Sequence, residues 1–512
     1  MLCQPHAMGD HSPHEEGDPT MAHVLPALAR SLNEFRLLPG LTAADAPPQR
    51  VSLESPLCRD GDRYLSVHTP LLSAAMQAVT SIEMAIALAQ LGGIGILPVS
   101  QTIDAQCTQV DAVKRFKAGF QTHITTLSPT QSIGEVMEIM TETGYTTFPV
   151  TDTGIFHGRL LGILTDKDFD SRYDRTCQVA DRMKTDVQVG VAIDDLKVAN
   201  DLMITYGRGF LPIVSAEGTL LSVVFKKDLD KHIQHPHATI DAHKRLRVGA
   251  AVSTHPEDRE RVQALMEHDI DVLVMDASDG HTVFQQDMLA WIKSRYAVPV
   301  IGGNIVTGQG FEFLAEAGAD AVKVGMGIGS GCTTQEVKAT GRGQATALME
   351  VASVRDRLAE QAGVYIPLIA DGGLKGAANM IIALALGADT LMLGNLLARF
   401  TESQGSLVRN SAGQWVKEYW MEGSRKARNH RRYAQLATLA FEEGIDGYVP
   451  HVGSIYDHLP VIIQMIQAGL ATAGCPTIGE LHAHAVLEQQ SPVALQDSGL
   501  HSMEPAQPFL PQ

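Results

Sequence analysis

The chain has 512 residues, 45% of them hydrophobic, and a formal net charge of −18 at pH 7. That length and apolar content suffice for more than one domain with a buried core, while the acidic balance excludes a nucleic-acid backbone as the main partner. Cys3, Cys58, Cys107, Cys177, Cys332 and Cys475 form no CxxC pair, so neither a zinc site nor a disulfide framework is indicated, and a reducing, cytoplasmic setting fits.

In chain order, residues 1–25 carry His6, His11, His14, Glu15 and Glu16 where a secretory signal would be basic and then apolar, and they read as a disordered tail. Residues 26–120 are expected to open the main domain. The apolar run 84–99 is broken by Gln90, and the later run 380–398 by Asp389 and Asn395, so no membrane partner is expected. Between 121 and 235, "GYTTFPVTDTGIFHGRLLGILTDKDF" and "GRGFLPIVSAEGTLLSVVFKKDL" repeat one pattern, with Pro149 matching Pro212 and Asp168 matching Asp228. Such a tandem repeat predicts a self-contained insert whose halves bury their faces against each other. Residues 236–480 return to the main domain. Three of its segments, "EHDIDVLVMDASDG", "EAGADAVKVGMGIG" and "ALGADTLMLGN", each place an acid between a helical run and an apolar strand. With "RVGAAVS", "VPVIGGN" and "IPLIADGG" they predict a β/α repeat whose chemistry-bearing residues sit at strand C-termini. That is the layout of a (β/α)8 barrel. Residues 481–512 form a C-terminal tail.

The stretch "GMGIGSGCTTQEVK" sets Cys332 after alternating Gly325, Gly327, Gly329 and Gly331. Thr333 and Glu336 have the spacing of a capping box, which predicts a helix beginning just after the cysteine and favouring its thiolate. Two readings stay open from the residues alone: a nucleophile, or a small side chain fitted to a tight loop. Asp371, before Gly372 and Gly373, is likewise a binding carboxylate or a turn former, and "RKARNHRRY" reads as a solvated basic loop.

"SDG", "GGNIV", "GSGCTT", "ADGGL", "LMLGN", "YWMEGS" and "RRY" occur in an order that resembles the inosine 5′-monophosphate (IMP) dehydrogenases, as do "TPLLSAAMQAVT" and "LGGIGILP". The resemblance runs from about 26 to 480 and implies a barrel holding a pair of CBS motifs as its insert. It implies oxidation of IMP to xanthosine monophosphate with NAD, through a covalent adduct on Cys332 that water then cleaves. Thr334, Arg432 and Tyr433 match the groups that handle that water, the last two on a flap within about 409–450. IMP is expected against Ser73, Met76, Asn304, Ser330, Asp371, Gly372, Gly373, Gly394, Asn395, Tyr419, Glu422, Gly423, Ser424 and Glu443. NAD is expected at Asp276, Ser278 and Gly325. The carbonyls of Gly327, Gly329 and Cys332 match a potassium site, and family members are commonly homotetramers. Adenine or guanine nucleotides are the implied partners of the CBS pair, the alternative being an insert without a ligand. Ala75, Gln77 and Ala78 depart from the usual Pro, Asp and Thr of the family. Guanosine monophosphate (GMP) reductase, which shares the barrel and cysteine but lacks the Arg-Tyr pair, is the rival enzyme, and a silent nucleotide-sensing scaffold the non-enzymatic one.

Overall fold

The computed structural model describes residues 22–42, 44, 47–116, 119–121, 124–193, 195–226, 235–427 and 442–498. Eight parallel strands share one sheet: β1 Leu71–Ser73, β2 Gly95–Leu97, β3 Val248–Val252, β4 Val272–Met275, β5 Val300–Ile305, β6 Ala321–Val324, β7 Leu368–Asp371 and β8 Thr390–Leu393. They pair in the order β1-β8-β7-β6-β5-β4-β3-β2, and a parallel bridge between Leu72 and Ile94 joins the two ends. The ring is closed, and the expected (β/α)8 barrel is present.

Helices α1 Ile82–Gln90, α2 Ile103–Arg115, α3 Asp258–Glu267, α4 Val283–Lys293, α5 Gly308–Glu316, α6 Thr334–Lys338, α7 Gln344–Ala362, α8 Ala377–Ala385 and α9 Ile455–Thr472 belong to this domain. Hydroxyl side chains fix several of their starts. Ser81 accepts from the Met84 N–H at 3.0 Å and Thr282 from Gln285 at 3.3 Å, satisfying amides that a helix start leaves open.

Strand alternation sorts the side chains into two layers. Leu72, Ile96, Ala251, Val272, Val274, Ile301, Ala321, Ile369 and Met392 share a cluster inside the ring, whereas Leu273, Met275, Val322, Val324, Leu368 and Ala370 belong to the layer outside it. With a period of two, Lys323 follows Ala321 inward and Asp371 follows Ile369. Both are thus aimed into the ring at its C-terminal end. The other end is covered by the hairpin Ser55–Asp60/Arg63–Val67, tied down by the Arg59 N–H to the Asp320 carbonyl at 3.0 Å and by the Ser55 hydroxyl to the Asp389 carbonyl at 2.7 Å.

The three acids that precede strands in the sequence pattern have one shared task. The carboxylates of Asp271, Asp320 and Asp389 accept from the N–H groups of Val248, Val300 and Leu368 at 2.9, 2.8 and 2.8 Å. Each receives the first amide of a neighbouring strand. Each also has a cation from a helix, Lys114 at 2.6 Å, Lys293 at 2.7 Å and Arg355 at 3.2 Å. The acids therefore satisfy strand starts that the barrel's stagger leaves unpaired, while the cations offset the burial of their charge.

The insert contains two similar halves. One has a helix, Ile133–Thr143, and the antiparallel pair Thr147–Thr151/Leu160–Thr165; the other has Leu196–Tyr206 and Phe210–Val214/Leu220–Phe225. Pro149 and Pro212 stand third in their strands, as the repeat required, while Asp228 lies outside the described residues. Each half has its own apolar cluster, around Phe148 and Leu164 in one and around Phe120, Leu211 and Val224 in the other. The halves exchange reciprocal bonds, Leu160 N–H to Gly218 and Leu220 N–H to Gly158, both 3.0 Å. Among the described residues no helix is long and apolar enough to cross a membrane, the cysteines are free thiols, and no cluster of three His, Cys, Asp or Glu side chains suits a metal.

Candidate active site

The loop after β6 carries Cys332 onto the C-terminal rim, immediately before α6. The helix starts where the sequence predicted, but the capping box is absent: Thr333 makes no side-chain cap. Its hydroxyl donates instead to the Glu442 carbonyl at 3.4 Å, because a segment from elsewhere in the chain lies across the loop. Cys332 and Gly444 form an antiparallel bridge, and the Ile445 N–H donates to the Gly331 carbonyl at 3.1 Å. That segment leads into a three-stranded antiparallel sheet of Leu407–Arg409, Trp415–Trp420 and Asp446–Pro450.

The bridge brings three functional groups into line. Cys332 Sγ lies 3.2 Å from Thr334 Oγ1, and the Thr334 hydroxyl donates to Glu443 Oε2 at 3.3 Å. Lys338 Nζ donates to the other oxygen of Glu443 at 3.4 Å. Thiol, hydroxyl and carboxylate thus form one hydrogen-bonded path, with Thr334 buried and Cys332 partly open. Proton movement from sulfur toward the carboxylate needs no rearrangement of these groups.

Behind this line is a polar floor. Asn304 Nδ2 donates to the Gly325 carbonyl at 2.8 Å and to Asp371 Oδ2 at 2.9 Å, while Lys323 Nζ donates to Asn304 Oδ1. Burial pushes the Asp371 carboxyl above the ordinary aspartate value, Asp276 adds to the rise, and Lys323 and Asn304 oppose it. Lys323 escaped the sequence reading, although a lysine inside the apolar strand "AVKV" was a signal that something acidic or polar awaited it.

Several residues expected at the phosphate lie near one another. Gly372 and Gly373 follow β7, Gly394 follows β8, and an added Cβ on Gly394 would lie 3.3 Å from the Tyr419 hydroxyl and 3.6 Å from Met76 Sδ. Burial raises the Tyr419 phenol to about 12, so it stays a neutral donor beside Ser330. Ser424 is fully buried and its hydroxyl has no hydrogen-bond partner among the described residues. A hydroxyl left so calls for a ligand or water. Asn395 turns its side-chain oxygen to Arg399, at 2.9 and 3.1 Å, and Gly423 borders Glu443.

Two expected contacts are engaged elsewhere. Ser73 is fully buried and its oxygen accepts from the Thr80 hydroxyl at 2.7 Å and the Ile96 N–H at 3.1 Å, which joins β1 to β2. Glu422 takes the Gln77 N–H at 2.6 Å on one oxygen and the Ser100 hydroxyl on the other. At the end of β4, Asp276 is half-buried and Ser278 exposed, one rim position around from Asn304. Arg432 and Tyr433 lie outside the described residues. The carbonyls of Gly327 and Gly329 accept from Gln335 Nε2 at 3.0 Å and from the Cys332 N–H at 3.1 Å, each keeping a second lone pair. Uncharged oxygen donors in a tight loop suit an alkali cation.

A family model described as "IMP dehydrogenase / GMP reductase domain" matches residues 29–501. An inosine-5′-monophosphate dehydrogenase of Tritrichomonas foetus is 40% identical over 92% of this chain and 96% of its own length. The Schizosaccharomyces pombe protein of the same name is 35% identical over 88% of this chain and 86% of its own. A crystal structure of a cysteine-to-alanine variant of GMP reductase from Trypanosoma brucei, in complex with guanosine 5′-monophosphate, superposes with a TM-score of 0.82 at 28% identity, covering 94% of this chain and 99% of that one. The match spans barrel, cysteine loop and rim alike, and the chain belongs to the IMP dehydrogenase / GMP reductase family.

Proposed function

We propose that the protein oxidises IMP to xanthosine 5′-monophosphate with NAD, a step toward guanine nucleotides. The hydrogen-bonded line from Cys332 through Thr334 to Glu443 supports this reading most directly. The Cys332 thiol gives up its proton along that path, and the sulfur adds to C2 of the purine. Asp276, Ser278 and Gly325 are the rim residues that would hold NAD, which when bound would supply the acceptor for the C2 hydride. The resulting thioimidate is cleaved by water. The C2–S bond breaks, C2 keeps the new oxygen, and the thiol is restored. Thr334 stands beside the sulfur and can orient that water; Arg432 and Tyr433 are assigned to its activation by resemblance. Asp371, with two acceptor oxygens, suits the ribose hydroxyls, and Ser330, Gly372, Gly373, Gly394, Tyr419 and Ser424 suit the phosphate.

The carbonyls of Gly327, Gly329 and Cys332 would hold potassium, which would supply positive charge that stiffens the cysteine loop. The insert is read as a CBS pair taking adenine or guanine nucleotides, and the assembly as a homotetramer. GMP reduction is the second reading, favoured by the Trypanosoma brucei neighbour; the IMP dehydrogenase names of relatives at 35% and 40% identity weigh against it.

The test is NADH formation from IMP and NAD with potassium, compared with GMP and NADPH. Cys332→Ala should abolish turnover and still bind IMP in a calorimeter, since ribose and phosphate contacts lie elsewhere. Undiminished NADH production by that variant would remove Cys332 from the mechanism, and turnover of GMP alone would establish the reductase.

A further inference from the structure

Gln77 lies in the loop after β1 and belongs to none of the groups assigned above, yet it touches three residues in two other parts of the rim. Its side-chain amide donates to the Ser100 carbonyl, in the loop after β2. Its side-chain oxygen accepts from Trp420 Nε1 at 3.2 Å, and its backbone N–H donates to Glu422 at 2.6 Å. Ser100 closes the ring with its own hydroxyl on the second Glu422 oxygen. Trp420 and Glu422 flank Met421, and all three are buried.

Met421 sits directly under the cysteine loop. A Cβ on Gly331 would meet its Cγ at 3.1 Å, and one on Gly444 would meet its Cβ at 2.3 Å, so no space separates the three residues. The Met421 N–H donates to the Ile445 carbonyl, and its own carbonyl accepts from Ser424, at 3.1 and 3.0 Å. The support of Gly331 and Cys332 and the buried Ser424 hydroxyl therefore rest on one stretch, 420–424, which Gln77 grips at Trp420 and Glu422.

We propose that Gln77 is a positioning residue for substrate: its side chain clamps the turn that holds Met421 beneath Cys332 and Ser424 in the phosphate seat. The proposal rests on the IMP-binding reading above. Gln77→Leu deletes the side-chain contacts to Ser100 and Trp420 but keeps the backbone N–H on Glu422. The turn loosens without any change to the Cys332, Thr334 and Glu443 side chains. KM for IMP should rise about three- to tenfold, the scale of one or two lost hydrogen bonds, with kcat changed much less.

Trp420 supplies a second readout. The chain has three tryptophans, and of Trp291, Trp415 and Trp420 only the last is bonded to Gln77, so Gln77→Leu should shift the emission spectrum and Trp420→Phe should remove that shift. Trp420→Phe takes away the other side of the same bond and should raise KM by itself. The double variant should be no worse than the poorer single, because the bond that Trp420→Phe removes is already absent in Gln77→Leu. Unchanged KM and emission in Gln77→Leu, or single effects that multiply in the double variant, would overturn the clamp. If Gln77→Leu does not fold, Trp420→Phe decides, an unchanged KM overturning the proposal. Wild-type protein that makes no NADH from IMP and NAD would withdraw the functional reading instead, and the emission of the single and double variants would then judge the clamp alone.

Discussion

Gly325 offers the sharpest test of how the rim is built. It follows β6 with φ at +144°, a conformation that L side chains rarely adopt, and its carbonyl accepts from Asn304 Nδ2 at 2.8 Å. A Cβ there would lie 2.0 Å from the Asp371 carbonyl oxygen and 3.0 Å from Gln344 Oε1, where contacts shorter than 3.0 Å are essentially never seen. Gly325→Ala must therefore push the ends of β6 and β7 apart by about 1 Å, and that displacement passes to Asp371 on one side and the cysteine loop on the other. Misplacement on this scale costs about 100-fold in turnover, and the backbone strain adds roughly 1–3 kcal/mol of lost stability. Two controls separate the contributions. Gly363 has φ at +67° and nothing within 4 Å, so Gly363→Ala should show strain alone; Gly209 has neither a positive φ nor a neighbour within 4 Å and should tolerate alanine. Urea unfolding and NADH formation from IMP measure both quantities. If Gly325→Ala is no less stable than Gly363→Ala and retains most of its turnover, the rim yields at this point and the close packing of β6 on β7 does not govern the site.

Two further predictions concern the buried acids. Asp389→Ala takes from Arg355 its buried carboxylate, leaving it the exposed Asp356 at 2.8 Å, and orphans both the Tyr365 hydroxyl, now 2.8 Å from the Asp389 carboxylate, and the Leu368 N–H. It should cost about 3–5 kcal/mol in urea unfolding, and an unaltered unfolding midpoint would refute the role given to these strand-preceding acids. Asp371 should behave in the opposite way. Burial raises its folded pKa, so ionising it costs stability as pH rises from the unfolded value of about 3.9 to the folded one, and the cost is constant above that. Asp371→Asn removes the cost: without nucleotide the variant should be at least as stable as wild type at neutral pH, with the difference closing below about pH 4, and its KM for IMP should rise. A variant clearly less stable than wild type at neutral pH would show that ionised Asp371 stabilises the fold.

The barrel was legible because its signals are local and repeated. "DIDVLVMD", "GADAVKVG" and "GADTLMLG" each announce a strand and the acid that serves its neighbour, and the same alternation that hides Val272 and Val274 inside the ring aims Lys323 and Asp371 at the site. The repeat around Pro149 and Pro212 was legible for a similar reason, since a pattern seen twice predicts a helix and strand pair built twice. The cysteine loop could be located from its glycines, but its partners could not. Glu443 is 109 positions from Thr334, and Glu422 is 345 from Gln77; no periodicity links residues so far apart.

The missing capping box shows which physical effect decides between local and distant partners. Thr333 has the residue type and spacing to cap α6, and a cap of that kind contributes about 1 kcal/mol. The antiparallel bridge at Cys332 and Gly444 offers the loop more: the Gly331 carbonyl receives the Ile445 N–H, the Thr333 N–H donates to the Glu443 carbonyl at 3.4 Å, and its hydroxyl finds Glu442. Three partners from one distant segment outweigh one local cap on a five-residue helix. That same exchange delivers the Glu443 carboxylate to Thr334. The local rule fails at the candidate site, because the contact that displaces the cap is the contact that completes the proposed proton path.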